Sequence, residues 1–346
     1  MPDDILITTE IISDLEHDIN DYLMINYDEN GFIFENLSLL YTLVYNLKEI
    51  LEDEELLNID IDYNSIRKVD FLKKIQIAKD FYKTLNIKFD FESLIIDGTI
   101  GCEFFDFGYD LEATEEEKEF CLQNGCTYHE NDKKLIDLWN TGLVTDIPVL
   151  IHELSHFRNL PDDGRDLISL LFTEALAYFD DFLCIDYLEE LGYCNEAVLQ
   201  RKLSLSYFYL LAENTLPLYK MFNLYENLGS IKKEDYEYFY GDIDEDMNDF
   251  DYDLETLIES TWDLSEATFY LFGVYLGAFM YLEYQKDNNF LKNILKLYTK
   301  INESDISECF KLIGLNDLSD NDLPKLFDAV EKLKDKALRK SLEKNS

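Results

Sequence analysis

Apolar residues recur every three or four positions over much of the chain, the spacing of one face of an α-helix. Leu39, Leu40, Leu43, Val44 and Leu47 form such a face, and Ile50 and Leu51 continue it. Phe71, Ile75, Ala78 and Phe81 form another. The period then changes. Ile87, Phe89 and Phe91 alternate with Lys88, Asp90 and Glu92, which predicts a strand. Gly98, Gly101 and Gly108 punctuate the next stretch, and Cys102 to Phe107 reads as a second strand, so a small sheet is expected within residues 87–130. Helical patterning returns near Ile147. Pro148 fits a first turn there, because its missing N–H has no intrahelical acceptor. After a turn at Pro161, Asp162, Asp163 and Gly164, a further helix is expected from about Arg165 to Leu191, stopped by Gly192. The pattern predicts a mainly α protein with a small β-sheet. Residues 1–85 read as an N-terminal helical region and 86–346 as the region that carries the chemistry.

Composition narrows the class. With 5 Pro and 13 Gly in 346 residues, the chain has too few tight-turn residues for a β-sandwich or barrel. It has 73 acidic and 30 basic residues, a formal net charge of −43. That excludes nucleic acid as a partner, since polyanion binding depends on Lys and Arg neutralising phosphates. It disfavours an anionic membrane surface for the same reason. The acids are spread along the chain, and 47% hydrophobic and 14% aromatic residues suffice for a packed core, so disorder is not expected. The longest uncharged run, Ala267 to Leu282, falls short of the roughly 18–20 apolar residues of a spanning helix and is expected as a buried one. The six cysteines form no CxxC pair, and the N-terminus has no basic and apolar leader pattern, so reduced thiols in a cytoplasm are expected. In the acidic stretch 241–255, Asp242, Asp244 and Asp246 imitate the start of a calcium loop. However, Met247 stands where Gly is needed and Asp253 where Glu is needed, so a solvated loop is expected.

The chemistry lies in the rarest residue types. There are four histidines, His17, His129, His152 and His156, and two of them fall in Ile151-His152-Glu153-Leu154-Ser155-His156-Phe157. Residues i and i+4 stack on one helix face, so both imidazoles can reach one zinc ion. Glu153 is placed to take a proton from a metal-bound water. By composition alone, this HExxH motif would arise by chance in roughly one such chain in two hundred. A catalytic zinc takes three protein ligands and keeps a position for water. No histidine follows His156, so the third ligand is expected to be acidic. Glu174, 18 residues on in the apolar stretch Phe172 to Phe179, is the candidate. Asp180, and behind it Asp181, are candidates to hold a ligand histidine by its other ring nitrogen. His17 and His129 are expected on the surface or in packing.

At these residues the chain resembles the gluzincin peptidases, and more narrowly the oligoendopeptidase F and thimet oligopeptidase family. The approach Thr141 to Ile147, the helix Glu174 to Asp181 and the Tyr-rich segment Phe269 to Gly277 are each similar to that family in the same order. The resemblance, over about residues 70–300, implies a helical oligopeptidase-like fold with a small sheet beside the HExxH helix. It implies one Zn2+ held by His152, His156 and Glu174, and cleavage of oligopeptides with Glu153 as the catalytic base. It also implies tyrosines that stabilise the oxyanion, Tyr270 by position and Tyr275 nearby. The chain departs from the family at Ser155, where Gly is usual, and in its short gap from His156 to Glu174. It departs again at Trp262 to Glu266, where the family has a His, and in its shorter length. Two other readings fit the same residues. One is a zinc-binding pseudo-peptidase acting as a binding or regulatory protein, and the other is a minimal aminopeptidase. The negative charge points to cationic peptides as substrates.

Overall fold

The computed structural model describes residues 37–59, 61–96, 98–104, 125–130, 133–159, 167–228, 270–301, 306–316 and 321–342. The expected turn at 161–164, the acidic stretch 241–255, residues 262–266 and His17 lie outside these residues, and of His129 only the backbone is described. In chain order the helices are α1 (Leu37–Leu51), α2 (Glu54–Leu57), α3 (Phe71–Thr84), α4 (Phe91–Ile96), α5 (Asp146–Asn159), α6 (Leu167–Glu190), α7 (Cys194–Leu228), α8 (residues 270–286), α9 (Leu291–Lys300), α10 (Ile306–Ile313) and α11 (Leu323–Leu342). The strands are β1 (Ile100–Phe104), β2 (Gly125–Glu130) and β3 (Lys133–Asn140). Among the described residues the protein is mainly α with one small sheet, as the patterning predicts. Among the described residues, no helix is long and apolar enough to cross a membrane.

The chain divides into two compact units, Met1–Glu49 with Phe208–Phe272, and Ile50–Tyr207 with Gly273–Ser346. In the first, Leu40, Leu43, Val44 and Leu47 of α1 are buried, as their spacing requires, and Lys48 pairs with Glu213 at 3.2 Å. The second unit holds the sheet, α3 to α6, and most of α8.

The sheet has the order β1-β3-β2, with β1 parallel and β2 antiparallel to β3. On β3, Ile136, Leu138 and Asn140 are buried while Asp137 is exposed, the two-residue alternation of a half-buried strand. The sheet therefore extends ten residues beyond its expected limit at 130. The strand expected at Ile87–Phe91 does not form. Asp90 accepts from the Ser93 N–H at 3.2 Å and so starts α4 at Phe91. Phe89 and Phe91 pack together, ring centroids 5.5 Å apart, rather than on one face of a sheet.

Two features aim the elements of the second unit. Lys74 of α3, fully buried, bonds both Asn140 at the end of β3 and Asp146 at the start of α5. Asp146 also accepts from Thr141 at 2.5 Å. A buried charge this well partnered fixes where α5 leaves the sheet. α6 is apolar on nearly every side and lies in the core. Gly192, at φ +89°, terminates it through N–H bonds from Gly192 to the Glu189 carbonyl and from Tyr193 to the Leu188 carbonyl, both 2.9 Å.

Candidate metal centre

HExxH lies on α5, with His152 and His156 one turn apart. Their Nε2 atoms face each other at 2.9 Å, with the rings nearly perpendicular at 82°. Glu174 reaches in from α6. Its Oε1 lies 3.3 Å from His156 Nε2 and its Oε2 lies 3.7 Å from His152 Nε2. The ligand atoms of the three residues all lie within 4.8 Å of one another. Ligand atoms about 2.0–2.1 Å from a tetrahedral ion stand roughly 3.4 Å apart. Two imidazole nitrogens and one carboxylate converging at these distances can hold a metal ion.

The surroundings fix the donors. Asp181 Oδ2 lies 2.8 Å from His152 Nδ1, so in the neutral ring the proton sits on Nδ1 and Nε2 is the lone-pair donor. Burial works against a proton on His152. The carboxylates of Asp181, Glu174 and Glu153 outweigh it and raise its pKa to about 10. The cluster is therefore arranged for a positive charge. Glu153 is buried, and that burial raises its pKa above the ordinary carboxylate range.

Two residues of β2 shape Glu153, and patterning did not single out either. Thr127 donates its hydroxyl to Glu153 Oε2 at 2.7 Å. At Gly125 a Cβ would lie 2.8 Å from Glu153 Cγ and 3.0 Å from Val149, so only glycine lets β2 run this close to α5. The sole sequence signal was a glycine beginning a short run with Thr and Tyr.

Asp180 plays a different part from the one expected. It is fully buried, and it accepts from Tyr298 Oη at 3.0 Å and meets Tyr82 Oη at 3.3 Å. Tyr82 Oη in turn donates to the carbonyl of Ile151, the residue before His152, at 3.0 Å. Arg158, two residues past His156, stacks over the Tyr298 ring at 3.6 Å. The histidine-holding role belongs to Asp181.

The two tyrosines separate. Tyr275 is fully buried, edge-to-face with Phe327 of α11 at 5.8 Å, and burial holds its hydroxyl pKa well above the ordinary value. Tyr270 begins the described part of α8 and is partly buried.

No family model and no curated protein sequence matches the chain. Among solved structures, PZ peptidase A with an inhibitor is similar at a TM-score of 0.51 and 15% identity, over 94% of this chain and 58% of that one. A protein described as an oligoendopeptidase F of Bacillus anthracis strain Ames is similar at 0.47 and 11%, over 95% of this chain and 56% of that one. The chain thus spans little more than half the length of these structures. The likeness to PZ peptidase A is one of fold.

Proposed function

We propose that the protein is a zinc-dependent metallopeptidase acting on oligopeptides. The observation that carries this reading is the convergence of His152, His156 and Glu174, with Glu153 beside them, on a fold shared with a peptidase. A bound zinc ion lowers the pKa of its water toward 7 and polarises a carbonyl. The residues of the chain do the rest. His152, His156 and Glu174 hold the ion, and Asp181 keeps Nε2 of His152 free to bind it. Glu153, oriented by Thr127, takes the proton of the attacking water and returns it to the leaving amine. Buried in low dielectric, its carboxylate gains basicity for the first step and, once protonated, serves as the acid for the second. Tyr275, fully buried and packed edge-to-face on Phe327, does not take the oxyanion role implied for a tyrosine in this reading.

A mixed peptide library incubated with the zinc-loaded protein, with and without a chelator, tests the proposal. Chelator-sensitive cleavage inside peptides supports it. Release of single N-terminal residues would make the protein an aminopeptidase instead. A protein that holds zinc and cleaves nothing would leave a binding or regulatory role on a peptidase fold.

A further inference from the structure

Helix α8 carries glycines at 273 and 277, neither with a positive φ, so neither is required by backbone conformation. Both mark places where α8 presses on α6. A Cβ at 273 would lie 2.8 Å from Glu174 Cβ and 3.3 Å from both the Glu174 carbonyl carbon and the Ala175 nitrogen. A Cβ at 277 would lie 2.7 Å from Tyr178 Cβ and 2.9 Å from the Ala175 carbonyl oxygen. At both positions the obstruction is backbone or Cβ, which cannot swing aside as the tip of a side chain can. Alanine is the better helix former, so each glycine costs helix stability that the close approach must offset.

The two contacts differ in what they touch. Gly277 bears on Tyr178, whose ring packs near His152 at 5.3 Å between centroids. Gly273 bears on Glu174 itself, at the root of the side chain whose oxygens lie 3.3 and 3.7 Å from the two histidine nitrogens. A metal site tolerates about 0.2 Å of error in ligand distance. Restoring ordinary van der Waals spacing at position 273 needs more movement than that.

We propose that Gly273 is a positioning residue for the metal: by letting α8 seat directly on Glu174, it sets the distance of that carboxylate from the His152 and His156 pair. The inference rests on the metallopeptidase reading and adds to it a residue that never touches the ion.

The test is zinc affinity, measured by competition with a chromogenic chelator. It is applied to the parent, Gly273→Ala and Gly277→Ala, and to each of these combined with Glu174→Gln. Melting temperatures of the metal-free proteins accompany it, and both alanines should lower them to a similar degree. Gly273→Ala should weaken zinc binding by about 10–100-fold, the range for groups that orient ligands. Gly277→Ala should stay within about threefold of the parent by the same standard. Glu174→Gln should cost less affinity in the Gly273→Ala background than in the parent, because the ligand is already displaced. The inference is overturned if Gly273→Ala binds zinc as tightly as the parent, or if both alanines weaken it equally. It is also overturned if the Glu174→Gln cost is the same in every background, or if Gly273→Ala does not fold, since the glycine then serves the core at large. A parent that takes up no zinc overturns the metallopeptidase reading instead.

Discussion

At the scale of single residues, the candidate site works through pairs. His152 is paired with Asp181 at 2.8 Å, and Glu153 with Thr127 at 2.7 Å. Asp181→Asn keeps the shape but removes the charge that fixes the histidine, so zinc affinity should fall about 10–100-fold, read by chelator competition. An unchanged affinity would mean that His152 needs no such support. Thr127→Val removes one hydroxyl from the base. It should leave zinc content at one per chain, lower kcat with little change in KM, and be rescued by Thr127→Ser. The motif residues His152, Glu153 and His156 were legible in the sequence because their spacing is local to one helix. Glu174 was legible because its neighbours are apolar. The sequence pattern favours Asp180 over Asp181 as the histidine's partner, whereas helix geometry favours Asp181. Seven residues from Glu174 make two turns and return to the same face, whereas Asp180 lies about 100° away from Asp181. Thr127 and Gly125 were not legible, since their role depends on a strand meeting a helix from a distant stretch of chain.

At the scale of elements, helices with a clean apolar face were readable and the sheet was only partly so. α1, α3 and the end of α6 at Gly192 follow the spacing of their residues. The alternation at 87–91 was overridden by Asp90, whose side chain favours a helix start. β3 carries its own alternation at Ile136, Leu138 and Asn140. Its pairing with β1, more than thirty residues earlier, is a non-local choice that no single stretch encodes. Lys74 ties α3 to the first turn of α5. Lys74→Met would leave Asp146 buried and unpaired, and should cost about 3–5 kcal/mol in denaturant unfolding. Asp180 binds α6 to α3 and α9 through Tyr82 and Tyr298, and burial raises its carboxyl pKa to about 7. The fold holds that proton more tightly than the unfolded chain, which releases it near 3.8. The resulting stability is full below the unfolded value and is lost as pH rises through the folded one. Asp180→Asn stays neutral throughout. Its melting temperature relative to the parent should therefore rise between about pH 4 and pH 7.5. A flat difference would place the Asp180 carboxyl at its ordinary value.

At the scale of the whole molecule, the proposed peptidase function makes the net charge of −43 a selector of which peptides would reach the site. A negative surface raises the local concentration of cationic ligands and so their kcat/KM. Basic peptides should be cut faster than acidic ones of equal length at low salt, and the ratio should shrink above about 0.15 M ionic strength. Equal rates at low salt would make the charge irrelevant to substrate choice. In the proposed function a bound ion would also link site to fold. α5 and α6 each supply ligands, so saturating zinc at about 100 times its Kd should stabilise the protein by about 2.7 kcal/mol, seen as a rise in melting temperature. The central claim is that Glu153 performs hydrolysis at a zinc ion held by His152, His156 and Glu174. Its most direct test compares turnover of one susceptible peptide by the parent and by Glu153→Gln, both carrying one zinc per chain. The account predicts that the variant keeps its zinc and loses about 10²-fold or more in kcat, the worth of a positioned base. Equal turnover by the two zinc-loaded proteins would contradict it.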